Sequence, residues 1–188
     1  MPRDNQDPCH NSSVPRRPPA YNESVPAKLS PSRTEYVVSL TDRKPDSMAD
    51  RLGARGSIER MKGRADLGLI RLRDASGDPR TAWEQTQKAL GADASIQPVL
   101  LDADGKPQYP TGEVSVRFRE RPSDPELERF ANAHGLRFLR RNEFVPEQAV
   151  FEPVEKARYL PDLTDELDAS KDVTLAWANT IAAYDRAD

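Results

Sequence analysis

Residues 112–135 read GEVSVRFRERPSDPELERFANAHG, and two periodicities in this stretch decide the fold. Val114, Val116 and Phe118 alternate with Glu113, Ser115, Arg117 and Arg119. A period of two sends one set inward and the other outward, as in a half-buried strand. After Pro122 the period changes. Leu127, Phe130, Ala131 and His134 fall at i, i+3, i+4 and i+7, the stripe of an amphipathic helix. Ser123 and Glu126 have capping-box spacing, Pro125 sits in the first turn and Gly135 ends the run.

Working outward, residues 136–146 and 147–154 predict two further strands. Residues 160–172 predict a helix with Leu160, Leu163 and Leu167 on one face, and VTLAWAN at 173–179 a closing strand. The order is β-α-β-β-α-β. The same order precedes it. TEYVVSL at 34–40 reads as a strand with Tyr36, Val38 and Leu40 on one side. A short helix carrying Met48 and Leu52 follows and stops at Gly56. Strands at 57–62 and 66–74, a helix from Pro79 with Trp83, Gln87 and Leu90, and a strand at 94–101 complete the first set. At an offset of 78, Val38 maps to Val116, Leu40 to Phe118 and Leu52 to Phe130; at 79, Asp93 maps to Asp172 and Ile96 to Leu175. A repeat of this kind implies one supersecondary plan used twice. The expected fold class is α+β, with two tandem ferredoxin-like sandwiches at 34–108 and 111–188, each with two helices on one sheet face. The opposite face needs a partner or polar cover.

Residues 1–33 hold seven of the seventeen prolines, among Asn, Ser and Arg. Such a stretch buries too little apolar surface to offset ordering entropy and is expected to be a disordered arm. RRPP at Arg16–Pro19 has polyproline-ligand composition but reads first as a solvated tail. The chain of 188 residues is 36% hydrophobic and 31% charged, with net charge −3, which does not favour nucleic acid or an anionic membrane surface. No apolar stretch approaches the roughly 20 residues that span a bilayer, and the first thirty residues hold no secretory apolar core. With one cysteine, Cys9, no internal disulfide can form, and a cytoplasmic setting is expected.

Catalytic and metal signatures are thin. Cys9 and His10 adjoin but lack further soft ligands nearby, and no glycine-rich phosphate loop appears. His134, at a helix end, reads as favouring the negative helix terminus or packing on Phe138. DADG at Asp102–Gly105 reads as a turn, because the later calcium ligands are missing. RNA recognition on this fold uses aromatics on the open sheet face, and the first strand of the second unit lacks that motif. No catalytic residue, metal or cofactor is expected.

Residues 110–144, PTGEVSVRFRERPSDPELERFANAHGLRFLRRNEF, with 165–184, DELDASKDVTLAWANTIAAY, resemble the N-terminal propeptides of subtilisin-like serine proteases. The likeness lies in a G-E-V-x-V-R-F strand, a helix ending H-G-L, an Arg-rich strand, a helix ending S-K-D-V and a V-x-x-A-x-x-N closing strand before a tail. It implies a ferredoxin-like fold that docks its open sheet face on the protease, inhibits it and assists its folding. It implies that Tyr184 occupies the pocket before the scissile bond, with cleavage after it. Ala183 and Ala182 follow outward, and Ile181 fills the apolar pocket four positions back. Small side chains with an extended backbone suit such main-chain recognition. The D-T/S-G, H-G-T-H and G-T-S-M motifs of the protease itself are absent, so a non-enzymatic partner of a subtilisin-like protease is expected. The alternative is a ligand-sensing or oligomerising ferredoxin-like module, a homodimer through its open faces.

Overall fold

The computed structural model describes residues 29–40 and 45–182. The RRPP stretch at Arg16–Pro19, Cys9 and His10, all in the expected disordered arm, lie outside them. Four helices and eight strands alternate in the order β1 (Ser30–Ser39), α1 (Pro45–Leu52), β2 (Gly56–Met61), β3 (Arg64–Leu72), α2 (Pro79–Leu90), β4 (Ile96–Leu101), β5 (Pro107–Phe118), α3 (Asp124–Ala133), β6 (Leu136–Arg141), β7 (Gln148–Pro153), α4 (Leu160–Asp168) and β8 (Val173–Ala182). A 3-10 turn, Gly53–Arg55, follows α1.

The strands form one antiparallel sheet in the order β2-β3-β1-β4-β5-β7-β6, with β8 added on the other side of β5. Within each half the neighbours follow one scheme: β4-β1-β3-β2 in the first and β8-β5-β7-β6 in the second. The halves meet where β4 pairs with the start of β5, Leu100 opposite Gln108 and Leu101 opposite Pro107.

Alternation along the strands sorts the core. Tyr36, Val38 and Leu40 pack with Met48, Leu52, Ile70, Trp83, Leu90 and Ile96 under α1 and α2. Val114, Val116 and Phe118 pack with Leu127, Phe151, Leu160, Leu163 and Leu167 under α3 and α4. The repeat positions Val38 and Val116 are both fully buried on the helix-bearing face. Ile96 and Leu175 are not counterparts. Ile96 lies opposite Val38, whereas Ala176 lies opposite Val116, and Leu175 is opposite Arg117 on the other face. A shift of one residue reverses the side of a strand, so matching by hydrophobicity alone chose the neighbouring residue.

β1 begins at Ser30, earlier than the expected Thr34, because Ser30 and Pro31 pair with Leu101 and Leu100. Ser32 Oγ accepts from the amides of Thr34 and Glu35 at the irregularity that follows. β5 is longer than its alternating core, and the extra length joins the halves. Its Thr111–Glu113 stretch bulges against β8, with Gly112 at φ +90°. A side chain rarely adopts that φ, so glycine suits the bend.

The halves also share side chains. Gln97 of β4 donates to the Arg158 carbonyl at 2.7 Å and accepts the Leu160 amide at 3.0 Å. Tyr159, which precedes α4, offers no side-chain cap, so Gln97 satisfies that helix start from the other half. Trp83 of α2 lies 5.1 Å from Tyr159, ring to ring, and the Arg80 guanidinium sits over both rings and pairs with Asp162. Among the described residues no helix is long and apolar enough to cross a membrane.

Candidate partner-binding face and strand end

Among the described residues all four helices pack on one side of the sheet, and the opposite side is open. In the second half, ladder pairing sets Leu175 and Trp177 of β8 beside Arg117 and Ser115 of β5, and Asn179 reaches Glu113 across the bulge. Val150 follows on β7, opposite Ser115, and then Arg140 on β6. Val150 is buried, while Leu175 and Trp177 are half-buried. This strip is apolar at its centre, and charge lies to either side.

One flank is a closed polar network. Arg140 donates to both oxygens of Glu113, at 2.9 and 2.8 Å. Asn179 Nδ2 donates to the same carboxylate at 3.0 Å and Asn179 Oδ1 accepts from Ser115 Oγ at 2.7 Å. The Arg140 guanidinium, and after it the Asn179 amide, hold the Glu113 carboxyl below its ordinary value against the cost of partial burial. Arg137 pairs with Glu152 nearby. Arg117 differs: its Nε is buried, with no partner among the described residues. A cleft of about 760 Å³ opens beside this flank, where β4 and β7 diverge, and its walls include Gln97, Glu113, Arg137 and Lys156.

The first half covers much of its helix-free side. Val37, Leu67, Leu69 and Val99 are buried there, and Met61, Leu101, Tyr109 and Ile181 pack against them. This arrangement locates two of the residues singled out in the sequence. Ile181 and Ala182 are the last residues of β8, opposite Tyr109 and Gln108. Ile181 is therefore half-buried, packed against the first half. Ala182 is exposed. Ala183 and Tyr184 lie outside the described residues.

His134 stands at the C-terminal cap of α3, one of the two expected placements, and packs on Phe130 rather than Phe138, 4.6 Å between ring centroids, with its Nδ1 3.0 Å from Glu166 Oε1. Phe138 instead packs on Phe151 in the core. That hydrogen bond from His134 leads the causes that hold the Glu166 carboxyl below its usual value, with Arg158 adding to it. The Trp177–Val150 strip and the Arg140–Glu113–Asn179 network were not anticipated as a site. Leu175, Trp177 and Asn179 share one strand parity, and that alternation was the available signal. Among the described residues no group of three or more His, Cys, Asp or Glu is arranged to hold a metal. Compared with protein-family models and with curated proteins, the sequence matches none.

Proposed function

We propose that the protein is a non-catalytic, propeptide-like binder of a subtilisin-like serine protease, inhibiting it or assisting its folding. On this reading each half is a ferredoxin-like unit, and the second half is the docking module. The observation that carries the reading is the helix-free strip of Leu175, Trp177 and Val150. It lies on the half whose sequence resembles the propeptides, and β8 runs from that strip directly toward the tail. An open, partly apolar sheet face buries surface on a partner at about 25 cal/mol per Å².

The placement of Ile181 refines the tail's role. Ile181 anchors β8 against the first half, so the segment offered to a protease groove starts at Ala182 and includes Ala183 and Tyr184. A rigid body that holds the start of an extended peptide lowers the ordering cost of binding. The test is hydrolysis of a chromogenic peptide by a subtilisin-like protease during titration with the protein. Slowed hydrolysis is expected, weakened by removal of residues 183–188 and by Trp177→Ala. Unchanged hydrolysis at micromolar protein with the protease of its own source overturns the reading.

A further inference from the structure

The outer side of β8 from Ala178 to Ala182 is a stretch of sheet edge that no described residue covers, and we infer that it pairs with the same stretch of a second copy. Exposed edges offer unpaired amides and carbonyls, and proteins blunt them with charge, proline or cover. β2, at one end of the sheet, carries Glu59 and Arg60, and β6, at the other, carries Arg137, Arg140 and Arg141. The open stretch of β4 contains Pro98, and Gln97 bonds there to the Arg158–Leu160 segment. β8 spans 10 residues, VTLAWANTIA, with no charge, proline or glycine.

The direction of its backbone groups follows from one bond. The Ala176 amide donates to Asp168 Oδ1 at 3.1 Å, away from β5. Strand alternation then points the amides and carbonyls of Ala178, Thr180 and Ala182 outward as well. The Asn179 carbonyl, which accepts from Thr111 Oγ1 of β5, faces the opposite way as it should. Among the described residues, none bonds to the outward groups of Ala178, Thr180 and Ala182.

Asp168 also sets the register. It occupies the edge at Ala176, so a partner strand is confined to the stretch from Ala178 onward. An antiparallel pairing with its two-fold axis at Thr180 places Thr180 opposite its own copy and Ala178 opposite Ala182 of the second copy. Every outward residue then meets an outward residue and exchanges both ladder bonds. A second copy fits this edge because no charged side chain opposes its like across the axis; directly opposed like charges destabilise a strand pair. Small Ala and Thr side chains line the helix-bearing side of the contact, with Asn179 opposite Ile181 on the other side. So short an edge buries less than the roughly 1,200 Å² of a stable interface, which makes the dimer concentration-dependent. This differs from a dimer through open sheet faces and needs no protease.

The experiment is analytical ultracentrifugation of the full chain across a concentration series, alongside Thr180→Lys and Ala182→Lys. Circular dichroism and thermal melting confirm that each variant keeps its fold. Expected are a rise in weight-average mass toward the dimer for the unaltered chain and monomer throughout for Thr180→Lys, with Ala182→Lys shifting the transition at least about tenfold in concentration. In a Cys9→Ser background, Thr180→Cys is expected to form a covalent dimer on mild oxidation, since strand partners at an axis lie within disulfide reach. A monomer at every concentration without a covalent dimer overturns the proposal. So does a dimer indifferent to Thr180→Lys.

Discussion

Replacing Gln97 by Met should loosen the joint between the halves. The side chain keeps its length and its place, and Gln97 is only 5% exposed, so the change removes hydrogen bonding with little change in packing. Two groups lose their partners, the Leu160 amide at the start of α4 and the Arg158 carbonyl. An unsatisfied buried group costs about 1–3 kcal/mol, so the pair is worth about 2–4 kcal/mol once partial rehydration is allowed for. That is a large part of the ~5–15 kcal/mol that holds a domain folded. Urea unfolding reads it directly. Far-UV circular dichroism reports both halves, and fluorescence in a Trp177→Phe background isolates Trp83 of the first half. At a slope near 2 kcal/mol per M, the midpoint should fall by about 1–2 M. The two probes, coincident before the change, should separate because α4 loses its cap first. A midpoint shift below about 0.3 M with coincident probes would refute the view that Gln97 ties the halves together.

Burial pushes the Tyr36 and Tyr159 hydroxyls up to about 12, from 10.0. Raised folded values mean that their contribution to stability is complete below pH 10 and is lost as pH rises toward 12; phenolate absorbance should appear together with loss of circular dichroism, and Tyr36→Phe and Tyr159→Phe should each reduce that amplitude. Glu113 runs the other way. Its depressed folded value makes its contribution present above 4.5 and lost as pH falls through the folded value, so the melting temperature of Glu113→Gln should depend less steeply on acid than that of the unaltered chain. Gly56→Ala should destabilise by about 1–3 kcal/mol in thermal melts. A Cβ there would lie 2.6 Å from the Arg71 carbonyl oxygen, which is already bound into the β2–β3 ladder. Trp83→Phe should cost about 1–3 kcal/mol by orphaning the buried Ile96 carbonyl, which accepts the indole N–H at 3.0 Å.

Local rules carried the elements. The capping box at Ser123 and Glu126 forms with both of its bonds, and Pro79 opens α2 after an Asp78 cap. Period two in β5 and the helical stripe in α3 each depend on neighbours within a few residues, and the structure keeps both. The repeated element order was legible for the same reason. What the amino-acid order alone did not reach was the relation between distant segments. The resemblance gives Ile181 an apolar pocket on a partner, and only the fold shows that its neighbours within the chain are Tyr109 and the first half's Val37–Val99 cluster. Gln97 lies in a strand expected from the sequence, with no sign there that it caps a helix in the other half. Leu175 and Ile96 look equivalent by type and fall on opposite faces. Propensity, capping and periodicity act over one or two turns of chain, and sequence states them outright. Which strand edge stays open, and which face meets which, depends on how β4, β5 and β8 share one sheet, and only tertiary pairing settles that.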